Sequence, residues 1–327
     1  MLPTSEITGR FAPSPTGTLH SGSLVTAVGS WLMAKSAGGR WLLRIDDLDT
    51  PRQLPGMIDD ILITLESFGL LWDGELSWQS RHRQLYEEAF DRLKQLEAIY
   101  PCGCSRKEIA QAASAPHPED DCLFYPGSCR VGMRNNTQIR SWRVRVTDRE
   151  ICFDDLRKGL VCQNLAEHCG DFIVRRGDGE FAYQLAVVLD DFLTGVNQVV
   201  RGDDLLGSTP RQIYLQRLLG LPRPAYCHLP LVTGPGGAKL SKRDNLVSHH
   251  LGNWIKKEGQ LLLGVLRFLG MEPQRELDGA ACGEILAWGL EHFDVRRIPA
   301  KGGELAVTDG LSRIPPTAVR PGQNPPD

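Results

Sequence analysis

Two short stretches of the chain combine residue types that suit the binding of a polyphosphate. The first, residues 10–35 (RFAPSPTGTLHSGSLVTAVGSWLMAK), places a Pro/Gly turn and His20 directly before an apolar run with helical spacing. A helix N-terminus offers unpaired N–H groups and a partial positive charge, and Gly22 lets the backbone approach a ligand closely. Because the stretch contains neither G-x-G-x-x-G nor G-x-x-x-x-G-K-[ST], it indicates neither a dinucleotide-binding fold nor a P-loop. Taken alone, a Pro-rich turn with a surface histidine explains it equally well.

The second stretch, residues 235–244 (PGGAKLSKRD), carries Lys239 and Lys242 in a Gly-rich loop. Such a loop can close over a polyphosphate and neutralise the charge that develops during a reaction. A solvated basic loop is the commoner meaning of a charge run. The two stretches, about 220 residues apart, are nevertheless much more specific together than either is alone.

The elements that must position these residues follow from the apolar patterning. Strand and helix alternate in the first hundred residues, which is typical of a parallel α/β sheet, with strands predicted at 7–11 and 40–49 and helices at 23–36, 55–70 and 81–99. Further along, the sequence predicts a strand over 139–148, a hairpin over 171–191, a helix over 211–222 and mostly helical structure over 250–297.

Charge, apolar runs and cysteine content limit the classes of protein to which the chain can belong. The 327 residues carry a net charge of −3, which gives no general sign of nucleic-acid binding but leaves room for a local basic patch. We find no apolar run near 18 residues and no charged-then-apolar leader, so the sequence predicts neither a membrane span nor a secretory signal. Nine unevenly spaced cysteines then indicate reduced thiols or metal ligands in a cytoplasmic protein.

The residues around both stretches resemble the class I aminoacyl-tRNA synthetases. LHSGS is similar to the HIGH motif, with Ser23 in place of the second histidine, and KLSKR is similar to the KMSKS motif, with Leu240 in place of methionine. RFAPSPTGTLH, LLRIDDLDTPR, RGDDLLGSTPRQIYLQ and KLSKR narrow the resemblance to the glutamyl-tRNA synthetase branch, over roughly residues 7–250.

This resemblance implies an α/β fold: a Rossmann-like parallel-sheet catalytic domain, an inserted zinc-containing subdomain of the acceptor-binding type and a small C-terminal helical domain. We expect the catalytic domain at 1–99 and 186–248, the insertion at 100–185, the helical domain at 249–312 and a disordered Pro-rich tail at 313–327.

The length favours a short branch of the family. Only about 85 residues follow Lys242, too few for the long helical anticodon-binding region of a full glutamyl-tRNA synthetase. The truncated paralogues that this resembles activate glutamate with ATP and Mg²⁺ without tRNA, and esterify it to the queuosine base in the anticodon of tRNA(Asp). We expect a monomer. The alternatives are a reduced synthetase that charges a tRNA 3′ end and a non-catalytic RNA-binding paralogue.

A cysteine cluster predicts one structural zinc ion. From spacing alone the ligands would be Cys102, Cys104, Cys122 and Cys129, since thiolates are the preferred ligands of structural zinc. The resemblance implies Cys-x-Cys followed by Tyr-x-x-x-Cys, which YPGSC fits with Tyr125, and Zn²⁺ can drive the deprotonation of a phenol. We therefore predict Cys102, Cys104, Tyr125 and Cys129, with Cys122 as the alternative fourth ligand. The remaining cysteines lack such spacing and are expected in the core: 152, 162, 169, 227 and 282.

Candidate roles follow from the chemistry of glutamate and ATP. Arginine is the natural bidentate partner of a carboxylate, and an acidic side chain can hold the ammonium. By resemblance, the glutamate-binding residues are Arg10, Phe11, Ala12, Pro13, Ser14, Asp46, Tyr183 and Arg201, although the family commonly has Glu where Asp46 stands. The ATP-binding residues are His20, Gly22, Ser23 and Lys242, and the catalytic residues are His20, Lys239 and Lys242.

A basic stretch is the candidate RNA contact. Arg134, Arg140, Arg143 and Arg145 surround Trp142, so the arginines could track phosphates. In a strand, Arg143 and Arg145 share one face and Trp142 points to the other, which we expect to be the core.

Overall fold

The computed structural model describes residues 6–112, 124–133, 137–234, 246–247 and 258–305. The predicted tail at 313–327 lies outside these residues. Among the helices that are described, none combines the length and apolar character that crossing a bilayer requires.

The described chain alternates between short strands and helices. The strands are β1 Thr8–Phe11, β2 Leu19–His20, β3 Arg40–Ile45, β4 Ser77–Trp78, β5 Ile99–Cys102, β6 Ser141–Val144, β7 Glu150–Asp155, β8 Gly159–Asn164, β9 Ile173–Arg176, β10 Gln198–Gly202, β11 Ala225–Leu229 and β12 Leu246–Val247. The helices are α1 Ser21–Ser36, α2 Met57–Ser67, α3 Arg83–Gln95, α4 Arg106–Ala112, α5 Leu165–His168, α6 Tyr183–Leu193, α7 Ser208–Leu219, α8 Glu258–Phe268 and α9 Cys282–His292.

The catalytic sheet is parallel, as the sequence predicts. β3 pairs in parallel with β1 and β4, and β11 pairs in parallel with β10 and β7. Asn197 joins the two halves, because its backbone N–H donates to the Thr8 carbonyl at 3.0 Å and its side-chain oxygen accepts from the Thr8 N–H at 2.8 Å. The carboxyl ends of β1 and β10 therefore meet at one edge of the sheet.

Helix α1 anchors this edge against the first hydrophobic core. Leu24, Val28 and Leu32 are fully buried and recur at helical spacing. The same core contains residues of α2, α8 and α9, and α8 and α9, which follow residues 235–244, contact α1. The α1 helix lies close enough to β11 that a Cβ at Gly29 would stand 2.6 Å from Leu229.

A second core lies under α3, α6 and α7, and it corrects the hairpin expected over 171–191. The segment forms β9 followed by α6, with only a single bridge between Arg175 and Phe181 left of the hairpin. Leu185, Ala186 and Leu189 are buried together in this core, which a helix achieves and a strand does not. The apolar residues of α6 form a nearly continuous run, so their spacing does not distinguish a helix from a strand.

Two cysteines expected in the core instead form a disulfide near the surface. Cys152 in β7 and Cys162 in β8 lie directly opposite each other in an antiparallel hairpin and are bonded, with Cys152 half-buried and Cys162 exposed. The expectation was wrong because strand register, rather than sequence spacing, brings these side chains together.

Candidate active site

Two of the predicted arginines stand side by side at the carboxyl edge of the sheet. Arg10 is the penultimate residue of β1 and Arg201 lies in β10, and the two are 4 % and 3 % exposed. Arg10 Nη1 donates to the carbonyl of Val200 at 3.4 Å, the residue directly before Arg201. Both guanidinium groups are thus held in one crevice, which is where ligands bind in open parallel sheets.

Asp46 lies in the same crevice. Its backbone N–H donates to the Pro13 carbonyl at 3.0 Å, which ties the end of β3 to the turn after β1. Arg44 Nε lies 2.6 Å from Asp46 Oδ1, and Arg44 Nη1 lies 2.7 Å from Asp191 Oδ1. Asp191 also pairs with Arg10 at 3.1 Å, so one buried network links the ends of β1, β3 and α6.

Sequence reasoning missed Arg44 and Asp191, although both are buried in this network. Two sequence features could have indicated them. Arg44 is a charged residue within the apolar strand RWLLRI, and Asp191 belongs to an Asp-Asp pair that follows the apolar run of α6. A buried charge is retained only where it is paired, so each of these residues implied a partner. The pattern did not say which partner.

The pKa values of two carboxyl groups in this network shift in opposite directions. Burial raises the pKa of Asp46 to about 6, although the charge and hydrogen bonds of Arg44 oppose this. Burial also acts to raise the pKa of Asp191, but two arginines, Arg10 and Arg44, lower it below its ordinary value. Asp191 is therefore a fixed negative charge, whereas Asp46 changes charge near pH 6.

A pH dependence of substrate use follows from Asp46. Because its raised pKa leaves the carboxylate ionised only above about 6, kcat/KM for glutamate should fall as the pH is lowered through that value. Steady-state kinetics of adenylate formation between pH 5 and 8 measure this. The Asp46→Asn variant should be slow at every pH and should lack the acidic limb. An unchanged limb in that variant would assign the titration to another group.

Of the other predicted glutamate-binding residues, Tyr183 contacts one of the two arginines. Tyr183 begins α6, and its hydroxyl accepts a long hydrogen bond of 3.5 Å from Arg201 Nη1. Phe11 is buried against the Trp41 ring, while Ser14 is exposed on the turn that follows β1. Ala12 is half-buried between them.

His20 lies at the start of α1, where a phosphate-binding group is expected. It is the N-cap residue, and its Nδ1 accepts from the Ser23 N–H at 3.2 Å while the Ser23 hydroxyl lies 3.1 Å from its Nε2. A Cβ at Gly22 would stand 3.1 Å from the His20 ring, so glycine leaves the imidazole its place. The structure thus brings His20, Gly22 and Ser23 together at one helix N-terminus.

The chain directly after the second stretch, residues 235–244, lies beside the first stretch, residues 10–35. Lys239 and Lys242 lie outside the described residues, but both flanks of their loop are described. β12 pairs in an antiparallel manner with β2, with Leu246 opposite His20. Leu246, which pairs with His20 of the first stretch, follows Lys242 by four residues in the sequence.

The candidate metal centre gathers three of the predicted thiols. The sulfur atoms of Cys102, Cys104 and Cys129 lie within 4.8 Å of one another. The Tyr125 hydroxyl lies 3.3 Å from Cys102 Sγ and 3.9 Å from Cys104 Sγ, and Cys104 Sγ lies 3.5 Å from Cys129 Sγ. Ligand atoms on a tetrahedron of radius ~2.0–2.3 Å are ~3.3–3.8 Å apart, so these four side chains fit a zinc ion. Cys122 lies outside the described residues.

The surroundings hold Tyr125 in the cluster. Its backbone N–H donates to the Cys169 carbonyl at 3.0 Å, and a Cβ at Gly170 would meet the Tyr125 carbonyl at 2.0 Å. Burial acts to raise the pKa of the Cys102 thiol, but hydrogen bonds from Tyr125 and from the Cys104 amide lower it to about 7. A thiolate is therefore accessible at neutral pH.

The basic stretch is only partly available to RNA. Arg143 is buried, with its guanidinium 3.8 Å above the Tyr125 ring and a hydrogen bond to the Asp171 carbonyl, so its place in the candidate RNA contact is corrected. A register shift after Trp142 turns Arg143 inward. Trp142 is half-buried, edge-on to Phe90. Arg140 is exposed, and Arg134 lies outside the described residues.

Comparison with known proteins agrees with this geometry. The family model for the catalytic domain of class I tRNA synthetases (E and Q) matches residues 6–281. A glutamyl-Q tRNA(Asp) synthetase of Geobacter sulfurreducens is 55% identical over 91% of this chain and 95% of its own length. The one from Dechloromonas aromatica is 50% identical over 90% and 96%.

A solved structure is similar over the whole fold. A glutamate tRNA ligase from Elizabethkingia meningosepticum, in complex with its amino acid, superposes with a TM-score of 0.76 at 25% identity, over 93% of this chain and 68% of that chain. The chain therefore belongs to the class I tRNA synthetases for glutamate and glutamine, within the family of the glutamyl-Q tRNA(Asp) synthetases.

Proposed function

We propose that this enzyme activates L-glutamate with ATP and Mg²⁺, without needing tRNA, and transfers the glutamate to the queuosine base in the anticodon of tRNA(Asp). The names of its relatives support this substrate pair. The observation that carries the proposal is the crevice in which Arg10, Arg201 and Asp46 meet beside the helix that His20 caps. The cytoplasm is the compartment that supplies tRNA, and we propose that the chain works there as a monomer.

The amino-acid half of the site selects and orients glutamate. The two buried arginines, Arg10 and Arg201, supply the charges for its carboxylates, and ionised Asp46 supplies the charge for its ammonium. Asp46 is one methylene shorter than the family's usual glutamate, and Arg44 occupies its carboxylate from one side. Tyr183 adds a hydroxyl at the rim. Orientation of this kind removes most of the entropic cost of bringing the carboxylate to ATP.

The nucleotide half of the site stabilises charge. A glutamate carboxylate oxygen attacks the α-phosphorus of ATP, a new P–O bond forms and pyrophosphate leaves with the electron pair of the broken bond. The N-terminus of α1, with His20, Gly22 and Ser23, faces the phosphates. Lys242, assisted by Lys239, neutralises the charge that grows on the phosphates in the transition state. Positioning and charge suffice, so no covalent nucleophile is needed.

The insertion between β5 and α6 holds the proposed zinc ion. When bound, zinc would cross-link Cys102, Cys104, Tyr125 and Cys129 and so fix the fold of this subdomain. We infer that the subdomain spans about residues 100–185, with its β7–β8 hairpin joined to the parallel sheet through β11, and that it helps to dock the tRNA. Arg140 is its exposed candidate contact.

The fourth ligand can be assigned by metal analysis. The purified protein should hold one zinc ion per chain, and Tyr125→Phe should lower both the zinc content and the melting temperature, because one bond to the metal is lost. Cys122→Ser should change neither. The reverse pattern, with zinc kept in Tyr125→Phe and lost in Cys122→Ser, would make Cys122 the ligand.

The proposed activation step is tested by glutamate-dependent ATP–pyrophosphate exchange in the absence of tRNA. We expect exchange with glutamate and much less with glutamine or aspartate. A folded protein without exchange would favour the alternative of a non-catalytic RNA-binding paralogue.

A further inference from the structure

Two buried side chains accept hydrogen bonds from the guanidinium of Arg201, at nitrogens other than the one that contacts Tyr183. Arg201 Nε donates to His228 Nε2 at 3.1 Å, and Nη2 donates to the Thr209 hydroxyl at 2.7 Å. His228 in β11 and Thr209 in α7 are both fully buried. The Thr209 oxygen is also 3.0 Å from His228 Nε2, so the three side chains form a closed triangle.

Asp155 determines which ring nitrogen of His228 carries the proton. Its Oδ2 accepts from the His228 backbone N–H at 3.1 Å and lies 2.7 Å from His228 Nδ1. A carboxylate only accepts, so the ring proton sits on Nδ1 and the Nε2 lone pair faces Arg201. Burial lowers the pKa of His228, which keeps the ring neutral beside the arginine.

Asp155 is itself rigidly held. It closes the turn of the β7–β8 hairpin, where its Oδ1 accepts from the Arg157 N–H at 3.1 Å and the Lys158 N–H at 2.9 Å. It is 2 % exposed, so four N–H groups replace the water around its carboxylate. The hairpin therefore supplies a fixed acceptor to His228.

We propose that Asp155, His228 and Thr209 form a positioning relay that holds Arg201 in the orientation that binds glutamate, an inference that rests on the proposed function. An unsupported arginine has several rotatable bonds to freeze when a carboxylate arrives. With Nε and Nη2 anchored, the Nη1 edge next to Tyr183 is presented to the substrate already oriented. Packing alone would be served by apolar side chains, because an aspartate and an imidazole are costly to bury.

Three substitutions test the relay in the full-length enzyme. His228→Leu removes the acceptor, and we expect the KM for glutamate to rise roughly 10-fold or more, the size expected for a lost hydrogen bond to a charged group. Thr209→Val removes the second anchor at nearly constant volume and should raise the same KM several-fold. His228→Gln supplies an amide oxygen that can accept from Arg201, so it should recover much of the loss.

The readouts separate positioning from general damage. In ATP–pyrophosphate exchange, kcat and the KM for ATP should stay within about twofold of the wild type, because the proposal assigns Arg201 to glutamate and the α1 N-terminus to the nucleotide. Thr64→Val is the matched control: Thr64 is 2 % exposed and its hydroxyl has no hydrogen-bond partner among the described residues, so its KM for glutamate should not change.

The outcomes are distinct. If the folded wild type shows no glutamate-dependent exchange, the proposed function fails and the relay falls with it. If the wild type exchanges normally and Thr209→Val and His228→Leu keep its KM for glutamate, the relay alone is overturned. Should His228→Leu not fold, Thr209→Val and His228→Gln decide the question. Equal losses in kcat and in the KM for ATP would also overturn positioning.

Discussion

Replacing Lys242 with alanine is expected to slow glutamate-dependent ATP–pyrophosphate exchange by ~10²-fold or more. The reason is that the negative charge on the phosphates grows in the transition state, and a lysine in the closed site offsets it without reorganisation. Leu246 pairs with His20 only four residues further along the chain, which is why we expect Lys242 to reach the helix N-terminus that is proposed to bind the phosphates. The effect should fall on kcat rather than on the KM for glutamate.

Lys301→Ala provides the control for Lys242. Lys301 is exposed, so its removal changes the net charge equally without touching the crevice. Both variants should show the circular dichroism and melting temperature of the wild type. Near wild-type exchange in Lys242→Ala would remove this residue from the proposed mechanism.

The second large effect concerns stability. Arg44→Met should lower the free energy of unfolding at pH 7 by about 3–5 kcal/mol, because one partner of a buried ion-pair network is lost while the other charges stay buried. Arg44 pairs with Asp46 at 2.6 Å and Asp191 at 2.7 Å, and its Nε lies 3.9 Å from Asp190. Methionine keeps most of the side-chain volume, so the loss reports charge rather than a cavity. Urea unfolding followed by circular dichroism measures it.

Arg52→Met is the matched control. Arg52 pairs with Asp49, but its side chain is 76% exposed. Exposed pairs contribute about 0–1 kcal/mol, so this variant should unfold close to the wild type. If Arg44→Met unfolded with the same free energy as Arg52→Met, the network would not contribute the stability assigned to it.

The parts of the fold that sequence predicted are those with a strong local signal. The helix predicted over 23–36 is α1, with its apolar residues at helical spacing. The helix predicted over 211–222 is α7, which ends at Leu219, and the following Gly220 takes a φ of 70° that favours glycine. The sequence predicts one helix over 81–99, yet α3 ends at Gln95 and β5 begins at Ile99, a break that the apolar residues alone do not mark.

The sequence predicted which residues belong to the candidate site, but not which residues pair with them. Arg10, Asp46, Tyr183 and Arg201 were selected by resemblance and because arginines and an acid suit glutamate. The structure links Arg10 to Asp46 through Asp191 and Arg44, and Arg201 to Tyr183. Their supports lie far away in the chain: Arg10 pairs with Asp191 across 181 residues. Asp155 and His228, 73 residues apart, meet only because β7 pairs with β11. Such contacts depend on strand order, which no local pattern specifies.

Transfer of glutamate to queuosine, rather than to a tRNA 3′ end, is tested by comparing four tRNA acceptors. Transfer of radiolabelled glutamate is compared on tRNA(Asp) with and without queuosine, each in full length and lacking its 3′-terminal adenosine. We expect equal glutamylation of both queuosine-containing forms and none of the queuosine-free forms. Glutamylation that ignores queuosine and disappears with the terminal adenosine would contradict it, and would make the chain an enzyme that charges a tRNA 3′ end.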